Sequence, residues 1–236
     1  MTQTDTPEYR FILAGEQRAG AIYTIACPYD GAPVGTVHRA GPDMLEQAIQ
    51  AVVAAFEVTR KLPGHKRAAV LRKVSELIAA RAESLARMIA LEAGKPIKQA
   101  RVEVGRSAAT FAAAAEEATR FHDELPHLDA TPGGEGRQGI VRRFPIGPIA
   151  AISPFNFPLN LVAHKLAPAI AAGCPVVLKP APQTPLTALK LAQLISAAGP
   201  PAGALSVIPM ANEIAAQLVG DERLKVLRGV HNRVRR

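Results

Sequence analysis

The chain has 236 residues, 48% of them hydrophobic and 20% charged, a balance that argues against a disordered protein and allows a sizeable core. Its net charge of +8 is unevenly spread: Arg223 to Arg236 holds six Lys/Arg and no acid, and without them the charge is +2. The protein is therefore not basic throughout, and the end reads as a solvated terminus, with a polyanion-binding arm as the alternative.

Cys27 and Cys174 stand far apart with no C-x-x-C or His spacing, against both a disulfide framework and a zinc site. There is no signal-peptide-like apolar run, and Pro, Lys or Gly breaks every apolar stretch short of a membrane-spanning length. A cytoplasmic protein is expected, with no membrane contact.

Residues 20–40 alternate apolar or β-branched with polar residues around "YDGAP", a hairpin signature. From Pro42 to Phe121 the periodicity predicts three helices, the first capped by Asp43 with Glu46 three residues on. The middle helix carries Val70, Val74, Leu77, Ile78, Leu85 and Met88 at helical spacing and stops at Gly94. Residues 122–147 contain the turn sequence "TPGGEG" between β-prone runs and predict a second, projecting hairpin.

From Gly147 strand and helix alternate. "GPIAAIS" is a short apolar strand, followed by "PLNLVAHKLAPAIAAG", a helix with Pro158 in its first turn, a bend at Pro168 and a stop at Gly173. "PVVLK" is a buried strand, "TPLTALKLAQLISAAG" a helix capped by Thr184 with Pro185 at N1, and "GALSVI" a third strand. Two βαβ units predict an α/β fold with a doubly wound, parallel sheet. Ligands bind such sheets beyond the carboxyl ends of the strands, which singles out the turns "SPFNFP" and "KPAPQTP". Neither contains G-x-G-x-x-G, so spacing alone does not name a ligand.

Asn156 stands in an apolar turn between Pro154 and Pro158, where proline restricts both itself and the residue before it. Read as a whole, "PIGPIAAISPFNFPLNLVAHKLAPAIAAGCPVVLKPAPQTPLTAL" resembles the cofactor-binding core of the aldehyde dehydrogenase superfamily, and the resemblance runs from about Gly20 to Leu227. It implies an incomplete Rossmann-like sheet with flanking N-terminal helices and hairpins. Residues 1–121 would form the hairpin and helical part of a cofactor-binding domain, 122–147 a bridging hairpin between subunits, 148–227 the NAD(P)-binding core, and 228–236 an aberrant tail.

The resemblance also implies roles. Asn156 would donate its side-chain amide to the oxyanion formed from an aldehyde substrate, a donor that cannot lose its proton; the competing reading is a cap for the helix beginning at Pro158. Lys165 would lie near the reacting centre, and Lys179 would hold the adenosine ribose. Ile152, Ser153, Pro154 and Phe155 would line the nicotinamide end, with Ala181 and Pro182 on the adenosine side. Pro182 replaces a frequent Glu, which makes NADP as acceptable as NAD. Met210, Asn212 and Ala216 stand where small residues are frequent, a departure that would crowd the adenine side.

After "VGDERLKVL" the family pattern gives way to "RGVHNRVRR". The expectation is an N-terminal half cut short before the catalytic cysteine domain, without the general-base Glu or the nucleophile, and inactive by itself. Cys174 follows a helix stop in an Ala/Gly-rich context and is no substitute. Two alternatives stand beside this: a cofactor-binding decoy or regulatory subunit, homo-oligomeric or joined to intact homologues, and a polyanion-binding protein. A sheet cut after its third strand is also expected to be aggregation-prone.

Overall fold

Five short strands form the amino end of the computed structural model, which describes residues 6–121 and 123–227. They are β1 (Glu8–Tyr9), β2 (Phe11–Leu13), β3 (Glu16–Arg18), β4 (Ala21–Ala26) and β5 (Pro33–Arg39). The expected hairpin is β4 against β5, antiparallel from Ala21↔Arg39 to Ala26↔Pro33. Gly31 turns it at φ +72, and Asp30 accepts the Ala32 amide at 3.0 Å, the side-chain bond that makes Asp a turn former. β1 adds parallel to β5, completing a three-stranded sheet.

The helical stretch holds four helices rather than three: α1 (Pro42–Thr59), α2 (Gly64–Ala80), α3 (Ala82–Ala93) and α4 (Ile97–Glu117). The long periodic segment breaks at Arg81, whose φ −115 and ψ 21 leave the helical region. Neither Gly nor Pro marks that break, so local chemistry did not announce it. Gly94 ends α3 at φ +62, as its position predicts. The Asp43 cap does not form: Pro42 takes the first helical position, Gly41 becomes the N-cap, and no side chain caps the helix. Glu46 instead accepts from Gln50 and from Arg223.

The hairpin expected over 122–147 reduces to one antiparallel bridge, Glu124↔Val141, and a 3-10 turn at Pro132–Gly134; His122 lies outside the described residues. Among the described residues no strand flanks it, and large apolar side chains stay in solvent: Leu125 is 75% exposed, Phe144 71%, Ile140 and Ile146 67% each.

The alternating region then follows its expected order: β6 (Ile149–Ile152), α5 (Asn160–Ala172), β7 (Val176–Lys179), α6 (Leu186–Ala197), β8 (Leu205–Val207), α7 (Asn212–Gly220) and β9 (Lys225–Leu227). Gly173 stops α5 at φ +80, and Pro168 lies inside it. Two details differ. α5 starts at Asn160, so Pro158 precedes the helix, and the stretch after the third strand is the helix α7, not only a turn. β9 also supplies a fourth parallel strand.

The large sheet has the order β3-β2-β8-β7-β6-β9. β6, β7, β8 and β9 are parallel, while β2 joins antiparallel to β8 through Ile12↔Val207 and carries β3 outward. The chain moves one way through β6, β7 and β8 and then returns to the far side of β6. Right-handed crossovers therefore place α5 and α6 on one face and α7 on the other. α2, α3 and α4 back α5 and α6, and α1 packs against β7, β8 and β2 and beside α7. The core runs through both layers, from Phe11 and Leu71 to Phe111, Leu166 and Leu189, each essentially inaccessible.

Arg223, the first cation of the basic end, is exposed but ion-paired. It bonds Glu46 at 2.9 and 2.7 Å and Asp221 at 2.6 to 3.2 Å, tying the chain before β9 to α1; residues 228–236 lie outside the described residues.

Candidate active site

The strand order reverses beside β6, and in parallel sheets the crevice at such a reversal takes the ligand. The two turns singled out in the sequence meet there. Ile152 is the register partner of Lys179, and Ser153 N–H donates to the Lys179 carbonyl at 3.1 Å, so the turn bearing Asn156 leaves the sheet beside the turn bearing Ala181 and Pro182.

Asn156, Phe155 and Phe157 are exposed, whereas Ser153 and Lys179 are 4% exposed and Lys165 8%. Asn156 does not cap α5: the N-cap is Leu159, and no side-chain cap bond comes from the helix's own segment. Both lysines lack a carboxylate partner among the described residues, and burial pushes both below the ordinary lysine range. A buried, unpaired cation at the carboxyl end of a strand suits an anionic or polyhydroxylated ligand, so Lys179 fits a nucleotide cofactor.

What holds the Asn156 turn is a carboxylate that sequence analysis did not single out. Glu103 of α4, 1% exposed at its side chain, accepts the Leu159 and Asn160 amides at 2.9 and 3.1 Å, capping α5 from outside. Its second oxygen pairs with Lys95, whose ammonium also donates to the Asn156 carbonyl at 3.0 Å and sits 4.0 Å from the centre of the Phe157 ring. Acid, base and ring thus fix the turn from behind, leaving the Asn156 amide outward.

The neighbouring turn is held in the same manner. Thr184 was expected to cap α6, but its hydroxyl is buried without a partner and Pro185 is the N-cap. Glu92 of α3 replaces it, accepting the Leu186 amide at 2.7 Å, the Thr187 amide at 3.0 Å and the Thr187 hydroxyl. These donors pull its pKa down, yet burial outweighs them and the carboxyl is pushed up to about 7. A signal for both acids was present: Glu103 falls on the buried stripe Ala100, Val104, Ser107 and Phe111, and Glu92 on the stripe Leu85, Ala86 and Ile89. An acid on an apolar stripe is a candidate for a buried role.

Cys27 and Cys174 are both buried and unpaired. Cys174 precedes β7 while Asn156 follows β6, and the two strands are parallel, so this thiol lies at the opposite end of the sheet from the site. Among the described residues no three His, Cys, Asp or Glu side chains converge as a metal site, and no helix is long and apolar enough to cross a membrane.

The profile of the aldehyde dehydrogenase family matches residues 15–229. The 3-sulfolactaldehyde dehydrogenase of Priestia aryabhattai is 40% identical over 206 residues, 87% of this chain and 43% of that protein. The crystal structure of aldehyde dehydrogenase 21 from Physcomitrella patens, in complex with the reaction product succinate, superposes with a TM-score of 0.91 at 41% identity, over 94% of this chain and 47% of that one. The NADP-dependent glyceraldehyde-3-phosphate dehydrogenase of Bacillus halodurans C-125, complexed with NADP, gives 0.88 at 32% identity, over 93% and 47%. The chain spans less than half the length of these relatives. With the profile match over most of its length and the close superposition on a solved member at 41% identity, the chain belongs to the aldehyde dehydrogenase family.

Proposed function

We propose that this chain provides the cofactor-binding and oxyanion-binding part of an NAD(P)-dependent aldehyde dehydrogenase, which oxidises an aldehyde to a carboxylic acid. The observation that carries this reading is the pairing of Ile152 with Lys179, which sets the Asn156 turn beside a buried, unpaired lysine at the carboxyl end of the sheet. The dinucleotide would supply the hydride acceptor. Lys179 would hold its adenosine ribose, Ala181 and Pro182 would border that end, and Ile152, Ser153, Pro154 and Phe155 would line the nicotinamide end. Asn156 would donate to the developing oxyanion, a contact worth ~10²–10³ in rate. Lys165, buried in α5, would add positive potential near the reacting centre.

The substrate class follows from two supports. The three relatives are named for an aldehyde, or a product, that carries an acid group away from the reacting carbon, a sulfonate, a carboxylate or a phosphate. Beside Phe157 a groove of about 450 Å³ is lined by Lys98, Gln99, Val102, Glu103 and Arg106; Glu103 is already paired with Lys95, while Lys98 and Arg106 have no acidic partner among the described residues. An aldehyde with an anionic tail matches that charge.

Cys174 lies at the opposite end of the sheet and Cys27 is buried in the turn between β4 and β5, so the 236 residues alone are expected to bind dinucleotide without turning over aldehyde. Calorimetric titration with NAD and NADP, followed by an absorbance assay with succinate semialdehyde, checks both halves. Failure to bind either dinucleotide sinks the cofactor reading. Turnover by the isolated chain refutes the assignment of the nucleophile to residues outside it.

A further inference from the structure

Between the turn after β7 and the start of α7 lies a second cavity, of about 410 Å³, lined by Tyr23, Arg39, Pro182, Gln183, Asn212 and Glu213 among others. That volume is within the range of small-ligand sites. It opens at the carboxyl ends of β7 and β8, and Arg39 reaches it because β5 ends there: the next residue, Ala40, donates its amide to the Pro209 carbonyl at 2.8 Å.

Three features bear on what this cavity takes. Arg39 has no acidic partner among the described residues; its guanidinium stacks on Tyr23, 5.0 Å from the ring centre, which restricts its position without consuming its donors. The β7 turn presents Pro182 and Gln183, neither of which offers a carboxylate to ribose hydroxyls. Glu213, in the first turn of α7, is the one acid named among the lining residues, and it makes no ion pair with Arg39. In nucleotide-binding α/β folds a carboxylate near the ribose selects the free 2′-hydroxyl, whereas a nearby arginine accommodates a 2′-phosphate.

We infer that the Arg39–Tyr23 cavity is the 2′-phosphate subsite of the adenosine half, and that Arg39 makes this chain select NADP over NAD. The inference rests on the cofactor reading above and adds the residue that decides between the two dinucleotides. The planar, permanently charged fork of arginine pairs two donors with a phosphate, and the ring beneath it limits the freedom lost on binding.

The test is calorimetric titration of the 236-residue chain with NADP, NAD, 2′,5′-ADP and 5′-AMP. We expect each 2′-phosphorylated ligand to bind about 10- to 100-fold more tightly than its partner, the advantage shrinking as salt is raised. Arg39→Ala should remove that advantage and leave NAD binding within about twofold. Arg39 is exposed, so the variant should fold, which its thermal melt verifies. Equal or tighter binding of NAD by the unaltered chain overturns the inference and points to Glu213 as a ribose acceptor. An Arg39→Ala variant that weakens NAD and NADP alike also overturns it. If none of the four ligands binds, the cofactor reading fails and the inference falls with it.

Discussion

The turns at the carboxyl end of the large sheet and the 123–147 segment are both largely irregular, yet they are held in opposite ways. The turns sit on buried strands, and a carboxylate from the helical layer caps the helix that follows each: Glu103 for α5 and Glu92 for α6. The 123–147 segment has one isolated bridge and the surface ion pairs Arg142–Asp123 and Arg143–Glu124, with Leu125, Ile140, Phe144 and Ile146 left in solvent. A loop becomes rigid when its unsatisfied amides find buried acceptors, and regular secondary structure is not required.

Breaking that contrast should cost most at Glu103. Glu103→Ala strips the Leu159 and Asn160 amides of their acceptor and leaves Lys95, 12% exposed at its side chain, without its partner. We expect a loss of about 3–5 kcal/mol in urea unfolding. Glu103→Gln, which keeps one acceptor oxygen, should lose less. A change under about 1 kcal/mol for the alanine variant would show that the turn is held by something else.

Glu92 sharpens the comparison through pH. Its carboxyl is raised from 4.5 to about 7 in the folded chain, so between those values the native state keeps a proton that the unfolded state has released. Stability from this group is complete below pH 4.5 and falls away as pH rises towards 7, by on the order of 3 kcal/mol at most. Acids held low, such as Glu46, Glu83 and Asp221, act in a more acidic range and leave this window clear. Urea midpoints from pH 4.5 to 7.5 should fall in the native sequence and flatten in Glu92→Gln.

A smaller loss is expected at the helix stop beneath β7. A methyl group at Gly173 would stand 2.9 Å from both the Arg67 Nη1 and the Thr59 carbonyl, at a φ of +80 that side chains disfavour. Gly173→Ala should lower stability by about 2 kcal/mol in the same assay. At the small end, Asn156→Ala and Leu125→Gln should each stay within about 0.5 kcal/mol, because both side chains are exposed. The two should part in function: Asn156→Ala is expected to cut turnover ~10²-fold or more when introduced into a full-length relative that retains its nucleophile, while a change at Leu125 has no such effect.

Much of this was legible in the residues. The strand–helix alternation after Gly147, the stops at Gly94 and Gly173, and the β4–β5 hairpin follow from short-range chemistry, because period, proline and glycine act within a few residues of themselves. The turn bracketed by Pro154 and Pro158 could be singled out for the same reason. The break at Arg81, the irregular 123–147 segment and the strands between Glu8 and Arg18 were not legible, since none has a local mark strong enough to outvote its neighbours.

The amino-acid sequence by itself thus determined the α/β order, the family and the place of Asn156 and Lys179. Only the tertiary structure decided what supports them. Glu103 reaches an amide 56 residues away and Glu92 one 95 residues away, and β5 brings Arg39 into one cavity with Pro182. No periodic pattern encodes such pairings, because their energy comes from burying a charge against donors that meet only after the layers have packed.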